Sequence, residues 1–437
     1  MKKEGSIAGF SKLSREEKTE WLRTAYKLDN RTVETIKNHL HGDEPLQALY
    51  EDLSENTISN FFIPYGIAPN FLINGKWYAV PMAIEESSVV AAASHAAKFW
   101  SAHGGFNAEV TETIKTGQVH FRYTGDAGKL QVFFNDSKKE LLSSVKPLTA
   151  SMEKRGGGIE DITLEDKSSS LSEYFQLFVK FRSADAMGAN FINTVLEQLA
   201  SSWKMKVEEA LKEGRLDGEM DIDMAILSNY TPENRVKVKL EAPVEAFKYF
   251  SEGMSGEEFA RKFVRAMNIA ATDPYRAVTH NKGIFNGMDA VVIATGNDFR
   301  AVEACGHAWA ARNGRYGSLS SARIENNSLV IELDVAMAVG TVGGLTSGHP
   351  MARTSMEILG HPSAEELMMI IAAAGLANNF SAVRSLITSG IQQGHMKMHL
   401  GNILRQLGAS EEQARRAKEY FRDRTVSFSE VKEFLRS

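Results

Sequence analysis

Apolar residues along this chain keep a helical period at first, switch to alternation in the middle, and return to a mixture afterwards. Trp21, Leu22, Ala25 and Leu28 recur at helical spacing behind Ser14-Arg-Glu-Glu17, the Ser-x-x-Glu form of a capping box. A second helical stretch, Thr32 to Leu40, breaks at His41-Gly42-Asp43. Asn74-Gly75 between NFLI and KWYAVPMAI predicts a hairpin, because a type I′ turn wants positive φ at both central residues. Its second strand delivers Glu85-Glu86-Ser87-Ser88 to an alanine-rich helix, Val89 to Trp100, which Gly104-Gly105 closes.

From about Gly117 the period becomes two: Val119, Phe121 and Tyr123 alternate, and Leu130 to Phe134 is open to being the continuation of that strand. A helix over 136–154 ends at Arg155-Gly156-Gly157-Gly158. Strands follow at Ile159–Leu164 and Tyr174–Phe181, then a helix over 187–212 and a last strand at Ile222–Leu227. That order, βαββαβ, is the split arrangement of ferredoxin-like domains. It reads as an insertion, 113–229, in a larger mixed α/β domain made of 1–112 and 230–388. A charged helical tail, 389–437, has cap signals at Ser410-x-x-Gln413 and Ser427-x-x-Glu430 and reads as a small lid. The expected class is α+β.

Composition narrows the function. A chain of 437 residues is long for one domain. A net charge of −5 argues against a nucleic-acid footprint, although a local basic pocket for an anionic ligand is invisible in a sum. The lone cysteine, Cys305, leaves no intrachain disulfide or cysteine-cluster metal site. The N-terminal stretch has no signal-peptide core and no window reads as a membrane span, so the expectation is a cytoplasmic protein without a membrane.

Candidate chemistry concentrates between Asp273 and Arg300, where Arg276, His280, Asn281, Lys282, Asn286 and Asp298 surround the apolar run Ala290–Ala294. That run reads as a buried strand or a buried helix turn. For nucleotides, neither Gly-x-Gly-x-x-Gly nor a Walker motif is present. Asp185-Ala-Met-Gly-Ala-Asn190 instead opens a helix, where small residues would let a pyrophosphate approach the backbone N–H groups; on the residues alone a tight strand-to-helix turn is the better explanation. Gly340-Thr-Val-Gly-Gly344 offers backbone that can lie against a ligand, and a loop that needs positive φ explains it equally. His395 and His399 share a helix face, yet no third ligand accompanies them, so no metal is expected.

THNKGIFNG with ATGNDFR, DAMGAN, EE-x-S and GHM resemble the 3-hydroxy-3-methylglutaryl-coenzyme A (HMG-CoA) reductases, in particular their soluble bacterial class II form. The resemblance runs from Glu55-Asn56 to Gly394-His395-Met396, with Ser59 where the family has glycine and Ser87 where it has proline. It implies Glu86, Lys282, Asp298 and His395 as catalytic residues. Glu55, Ser88, Arg276 and Asn286 are implied on the substrate. Asp185, Met187, Gly188, Ala189, Asn190, Gly343 and Gly344 are implied on the dinucleotide. Members preferring NADH carry an acid seven positions before the triple glycine; this chain has Thr149 there, with Lys146, Lys154 and Arg155 nearby, which favours NADPH over NADH. A homodimer with its active site at the subunit interface, or a higher oligomer, is also implied.

The reaction so implied converts the HMG-CoA thioester to mevalonate and CoA with two reduced cofactors. Negative charge on the carbonyl oxygen calls for a fixed cation, Lys282. The CoA thiolate calls for a proton donor near neutrality, His395. Glu86 suits the second proton transfer provided burial raises its pKa, with Asp298 orienting Lys282 and Glu86. Arg276 suits the free carboxylate of the substrate. The same residues would serve mevalonate oxidation in reverse, and a binding protein that has lost catalysis is the reading they argue against.

Overall fold

The computed structural model describes residues 6–250, 253–388, 400–401, 403–421, 424 and 426–436. The chain divides into two compact units, Met1–Pro64 and Tyr65–Ser437.

The first unit is helical. Helix α1 (Arg15–Ala25) starts with the expected capping box: the Ser14 side chain accepts the Glu17 N–H, and the Glu17 carboxylate accepts the Ser14 N–H at 2.8 Å. Helices α2 (Asn30–Asn38) and α3 (Glu44–Asp52) are capped by Asp29 and Asp43, and an Arg15–Glu51 ion pair ties α1 to α3.

The second unit mixes helices and antiparallel sheet. Strands β1 (Tyr65–Ile73) and β2 (Lys76–Ala83) meet at Asn74 and Gly75, whose φ values of 48° and 80° are those of the predicted type I′ turn. Helix α4 (Val89–Ser101) leads to β3 (Asn107–Tyr123), a strand long enough to serve two neighbourhoods. Its first half pairs with β7 (Asn234–Pro243), which continues to β9 (Ser328–Ala336) and β8 (Ser320–Glu325). Its second half lies between β6 (Met220–Leu227) and β5 (Tyr174–Arg182), and β5 pairs with β4 (Gly158–Asp166).

The order β6–β3–β5–β4 packs against α5 (Ala127–Glu153) and α6 (Ala189–Lys212) around Phe121, Phe134, Val179, Leu196 and Trp203. Here the reading of Leu130–Phe134 as strand fails. Asp126 accepts the Lys129 N–H and starts α5, and Leu130, Phe134, Leu141 and Val145 form its buried stripe.

A larger core gathers α4, β1, β2, β7 and β9 with helices α7 (Gly256–Thr272), α8 (Pro274–Ala294), α9 (Phe299–Ala310) and α12 (Ala364–Ile387). Between β9 and α12 come the short α10 (Gly344–Gly348) and α11 (Pro350–Ile358). Ala290–Ala294 is the end of α8, so the buried-helix alternative holds. Helices α8 and α12 cross closely enough that a Cβ at Gly287 would overlap the Ala374 carbonyl oxygen, and one at Gly375 would sit 2.6 Å from Met288 Cγ. Helix α12 is long and apolar enough to cross a membrane, which the sequence reading missed, but 83% of its most apolar stretch is buried inside this core. In the tail, α13 (Glu411–Tyr420) and α14 (Phe428–Phe434) close a small core of Leu400, Ile403, Leu404, Ala417, Phe421 and Val431.

Candidate active site

Helix α8 sets the geometry. Lys282 and Asn286 are one turn apart on the same face, and both reach Glu86 from the segment between β2 and α4. Lys282 Nζ donates to Glu86 Oε2 at 2.6 Å, and Asn286 Nδ2 donates to the same oxygen at 3.3 Å. Flanking residues point the other way and hold the helix. His280 Nε2 lies 2.7 Å from the Ser320 hydroxyl, and Asn281 bonds Tyr316, Gly317 and Leu319. Burial draws the His280 pKa down to about 3, so its imidazole stays neutral and structural. The Lys282 and Glu86 side chains are 59% and 39% exposed, so Glu86 lacks in this chain the burial that the sequence reading asked of it.

Beside Glu86 opens a cleft of about 450 Å³ lined by Ser88, Thr279, Gly283, Asn286, Asn378 and Arg384, among others. Ser88 caps α4 with φ 79°, a left-handed backbone uncommon outside glycine, and its hydroxyl makes no capping bond. Arg276, one turn before Thr279 on α8, is half-buried and has no carboxylate partner among the described residues. The sequence reading missed Thr279 and Asn378. Thr279 could have been found, since it lies three residues before Lys282; Asn378 on α12 carried no local signal. A larger cavity of about 620 Å³ lies over β7–β9, between Lys237, Lys239 and Glu332, and contains none of the expected residues.

Asp298 stands apart from the Lys282–Glu86 pair. It caps α9, accepting the Arg300 and Ala301 N–H groups, and its carboxylate is taken by the Arg300 guanidinium at 3.0 Å. Burial works against its charge, while Arg300 and the backbone donors hold its pKa below the usual carboxylate value. It has no hydrogen bond to Lys282 or Glu86 among the described residues. His395 and His399 lie outside those residues. Glu55 sits in an exposed turn of the first unit, beside Asn56 at φ 59°; Ser59, in the family's glycine position, is not among the positive-φ residues and donates its hydroxyl to Ile36 O at 2.6 Å.

The two glycine-rich segments meet. The Thr341 N–H donates to Asp185 O at 2.8 Å, and Ala186 bridges Val342. The Gly340 N–H donates to Asn297 Oδ1 at 2.8 Å, linking both segments to the turn before Asp298. A Cβ at Gly340 would press on the backbone of Ala186 and Met187. Gly188 caps α6 at φ 80° with no side-chain capping bond, and Gly343 and Gly344, at φ 80° and 57°, are exposed. A cradle of bare backbone at the N-terminus of a 24-residue helix fits a pyrophosphate. Thr149 does not present itself to a ligand: it is buried, and its hydroxyl donates to Glu153 at 2.6 Å. Lys146 on α5, and Lys154 and Arg155 in the turn that follows the helix, are exposed.

Residues 14–400 match the family model described as hydroxymethylglutaryl-coenzyme A reductase. A 3-hydroxy-3-methylglutaryl-coenzyme A reductase of Archaeoglobus fulgidus is 36% identical over 98% of this chain and 94% of its own length. The solved structure of the Streptococcus pneumoniae enzyme covers 99% of both chains at 36% identity with a TM-score of 0.72. A class II structure from the same organism, bound to NADPH in open conformations, covers 88% of this chain and 100% of its own at 37% identity with a TM-score of 0.71. These likenesses define an NAD(P)H-dependent oxidoreductase of mixed α and β structure. The chain belongs to the hydroxymethylglutaryl-coenzyme A reductase family, of the bacterial and archaeal class II kind, and its reaction is the reduction of HMG-CoA to mevalonate.

Proposed function

We propose that Glu86, Lys282, Asp298 and His395 carry that reduction, with NADPH as the preferred cofactor. The observation that supports it most is the 2.6 Å Lys282–Glu86 pair, with Asn286 donating to the same Glu86 oxygen beside the cleft. Bound NADPH supplies hydride. Lys282 stabilises the negative charge on the thioester oxygen, and later on the aldehyde oxygen, as each is reduced. Glu86 delivers a proton to the aldehyde oxygen through the contact it shares with Lys282. His395 protonates the departing CoA thiolate. Asp298 orients Lys282, which requires it to leave Arg300. Arg276 pairs with the free carboxylate of the substrate, assisted by Ser88 and Asn286, and Glu55 belongs to the thioester site.

The nucleotide site is formed by Asp185 to Asn190, Gly343 and Gly344, within a ferredoxin-like domain over 113–229. The order β6–β3–β5–β4 with α5 and α6 on one face supports that assignment. The larger domain comprises 1–112 and 230–388, and the helices of 389–437 act as a lid that excludes water. The enzyme works in the cytoplasm as a homodimer, whose interface covers the exposed Lys282–Glu86 pair. Incubation with HMG-CoA and NADPH, or NADH, tests the reading: about two cofactors are oxidised per substrate consumed, and no oxidation of either would refute it.

A further inference from the structure

Lys115 is a buried amine that none of the chemistry above uses. It lies on β3 and is 5% exposed, and among the described residues it has no carboxylate partner. Its Nζ donates to Ala186 O at 2.7 Å and to Met187 O at 2.9 Å, the two carbonyls immediately before the start of α6. An ammonium has a third N–H. Beside it is a small cavity of about 20 Å³ edged by Ser228, Asn229 and Thr231. Two successive carbonyls drawn inward to one amine fix the orientation of their peptide planes. The loop is held from its other side by Thr341 N–H on Asp185 O and by Asp185 Oδ1 on the Ala364 N–H, both at 2.8 Å.

We propose that Lys115 is a positioning residue of the dinucleotide loop and that its amine takes up a proton when the anionic cofactor binds. This rests on reading 185–190 as the cofactor loop. Burial without a counter-charge draws the Lys115 pKa from its ordinary 10.5 down to about 7, so near neutral pH the free enzyme holds it as a mixture of charged and uncharged forms. Among the described residues the amine's hydrogen-bond partners are the Ala186 and Met187 carbonyls and no ionised group. Asp185 turns its carboxylate to Ala364; on α9, Arg300 is exposed and paired with Asp298, and Cys305 accepts from Thr231 with its thiol pKa pushed up by burial. A pyrophosphate on the outer side of the loop would supply the missing opposite charge.

A negative group roughly 12 Å away at an effective dielectric near 20 raises such a pKa by about one unit. Protonation at pH 7.5 then moves from about a quarter to about three quarters on binding, an uptake of about half a proton. The sign follows: affinity for the cofactor weakens as pH rises through the free-enzyme value near 7, by about tenfold in all, and levels off above the bound-state value.

Calorimetric titration of the full-length protein with NADPH, and with NADH, at pH 7.5 in phosphate and in Tris reads the proton count directly. About half a proton taken up with either nucleotide supports the proposal; NADH is informative because it lacks the 2′-phosphate, which would itself titrate. No uptake in the wild-type protein overturns it. Lys115→Met should abolish the uptake and flatten the pH dependence of the cofactor Kd, and uptake persisting in that variant would also overturn it. Should the variant not fold, the wild-type proton count still decides. Gly188→Val separates this from failure of the underlying reading. A nucleotide Kd unchanged in Gly188→Val refutes the cofactor loop itself, whereas a weakened Kd with no proton uptake in the wild type refutes only the role of Lys115.

Discussion

Replacing Gly340 by alanine tests whether the meeting of the two glycine-rich segments matters to the cofactor. An added Cβ would lie 2.9 Å from the Ala186 carbonyl carbon and 3.1 Å from Asp185 O, and closer still to Met187 N. Comfortable carbon contacts begin near 3.5 Å, so the 185–188 loop must retreat by roughly 0.5 Å or more. The obstacles are backbone atoms, with no side chain free to swing aside. Overpacking of this kind costs about 1–3 kcal/mol. The Thr341–Asp185 and Gly340–Asn297 hydrogen bonds, both 2.8 Å, are worth about 0.5–1.5 kcal/mol each and are at risk. A total loss of about 2–6 kcal/mol follows if the loop stays in place; if it moves outward, misplacement on this scale weakens ligand contacts up to about 10²-fold. Nucleotide binding read by NADPH fluorescence should weaken about 10- to 100-fold, while HMG-CoA binding by calorimetry stays within about twofold. Gly343→Ala is the comparison: no atom lies within 4 Å of its added Cβ, and only its φ of 80° resists, at about 1 kcal/mol. A folded Gly340→Ala protein with unchanged NADPH affinity, or with both ligands weakened equally, would refute the argument.

Lys282→Ala should lower kcat about 10²- to 10³-fold with a smaller change in KM for HMG-CoA, because it removes a charge needed mainly as the oxygen becomes negative; unchanged turnover would exclude Lys282 from catalysis. Asp289, on α8, has its pKa raised by burial and by Glu303 on α9, and one of its oxygens is buried without a hydrogen bond. A raised carboxyl pKa means that the folded state holds the proton longer than the unfolded one, so this group's contribution to stability is lost as pH rises through the folded value. Asp289→Asn should therefore stabilise the protein more at pH 8.5 than at pH 6, read as urea midpoints, and an offset independent of pH would count against it. His280 has the opposite sense: with its folded pKa near 3, it loses stability as pH falls below about 6.5, where the unfolded chain takes up a proton. His280→Gln should flatten the decline in thermal midpoint between pH 7 and pH 5, and an unchanged slope would show that His280 is not its source.

Local chemistry was legible in the sequence where one short interaction decides the structure. Asn74-Gly75 made its turn and Ser14-x-x-Glu17 made its cap, because both are settled within four residues. The motifs also identified Glu86, Lys282 and Asn286, which the fold brings into contact across about 200 residues of chain. Legibility failed where a distant partner decides. Leu130–Phe134 carries enough aromatic and β-branched residues for a strand, and its helical stripe emerges only when Leu141 and Val145 are included. Ala290–Ala294 is helical because α8 lies against α12 at Gly287 and Gly375, a crossing no single-segment pattern contains. Counting back from the triple glycine reaches Thr149, but spacing along α5 cannot say which face is buried; Thr149 points inward to Glu153. Lys115 gave no signal at all, being an isolated lysine in a strand until the Ala186 and Met187 carbonyls close on it.

What the fold adds to the motifs is a continuous chain of contacts between the helix that carries Lys282 and the 185–190 loop. Lys282 belongs to α8, and α8 ends at Thr295-Gly296-Asn297, where the chain turns at φ 69°. Asn297 is 8% exposed, and its Oδ1 is occupied by the Gly340 N–H. The next residue along is Thr341, bonded to Asp185, and behind that loop is Lys115. Asp298 is therefore one peptide away from the group that anchors the glycine-rich segments. Its present partner, Arg300, has a side chain 77% exposed, and exposed ion pairs contribute only about 0–1 kcal/mol. Breaking that pair costs little by comparison with moving a buried polar network. The Gly340–Asn297 contact ties the 340–344 segment to the residue beside Asp298, while the buried His280 and Asn281 hold α8 separately. Asn297, which belongs to none of the motifs, is thus the residue whose side-chain amide joins the turn after α8 to the 340–344 segment.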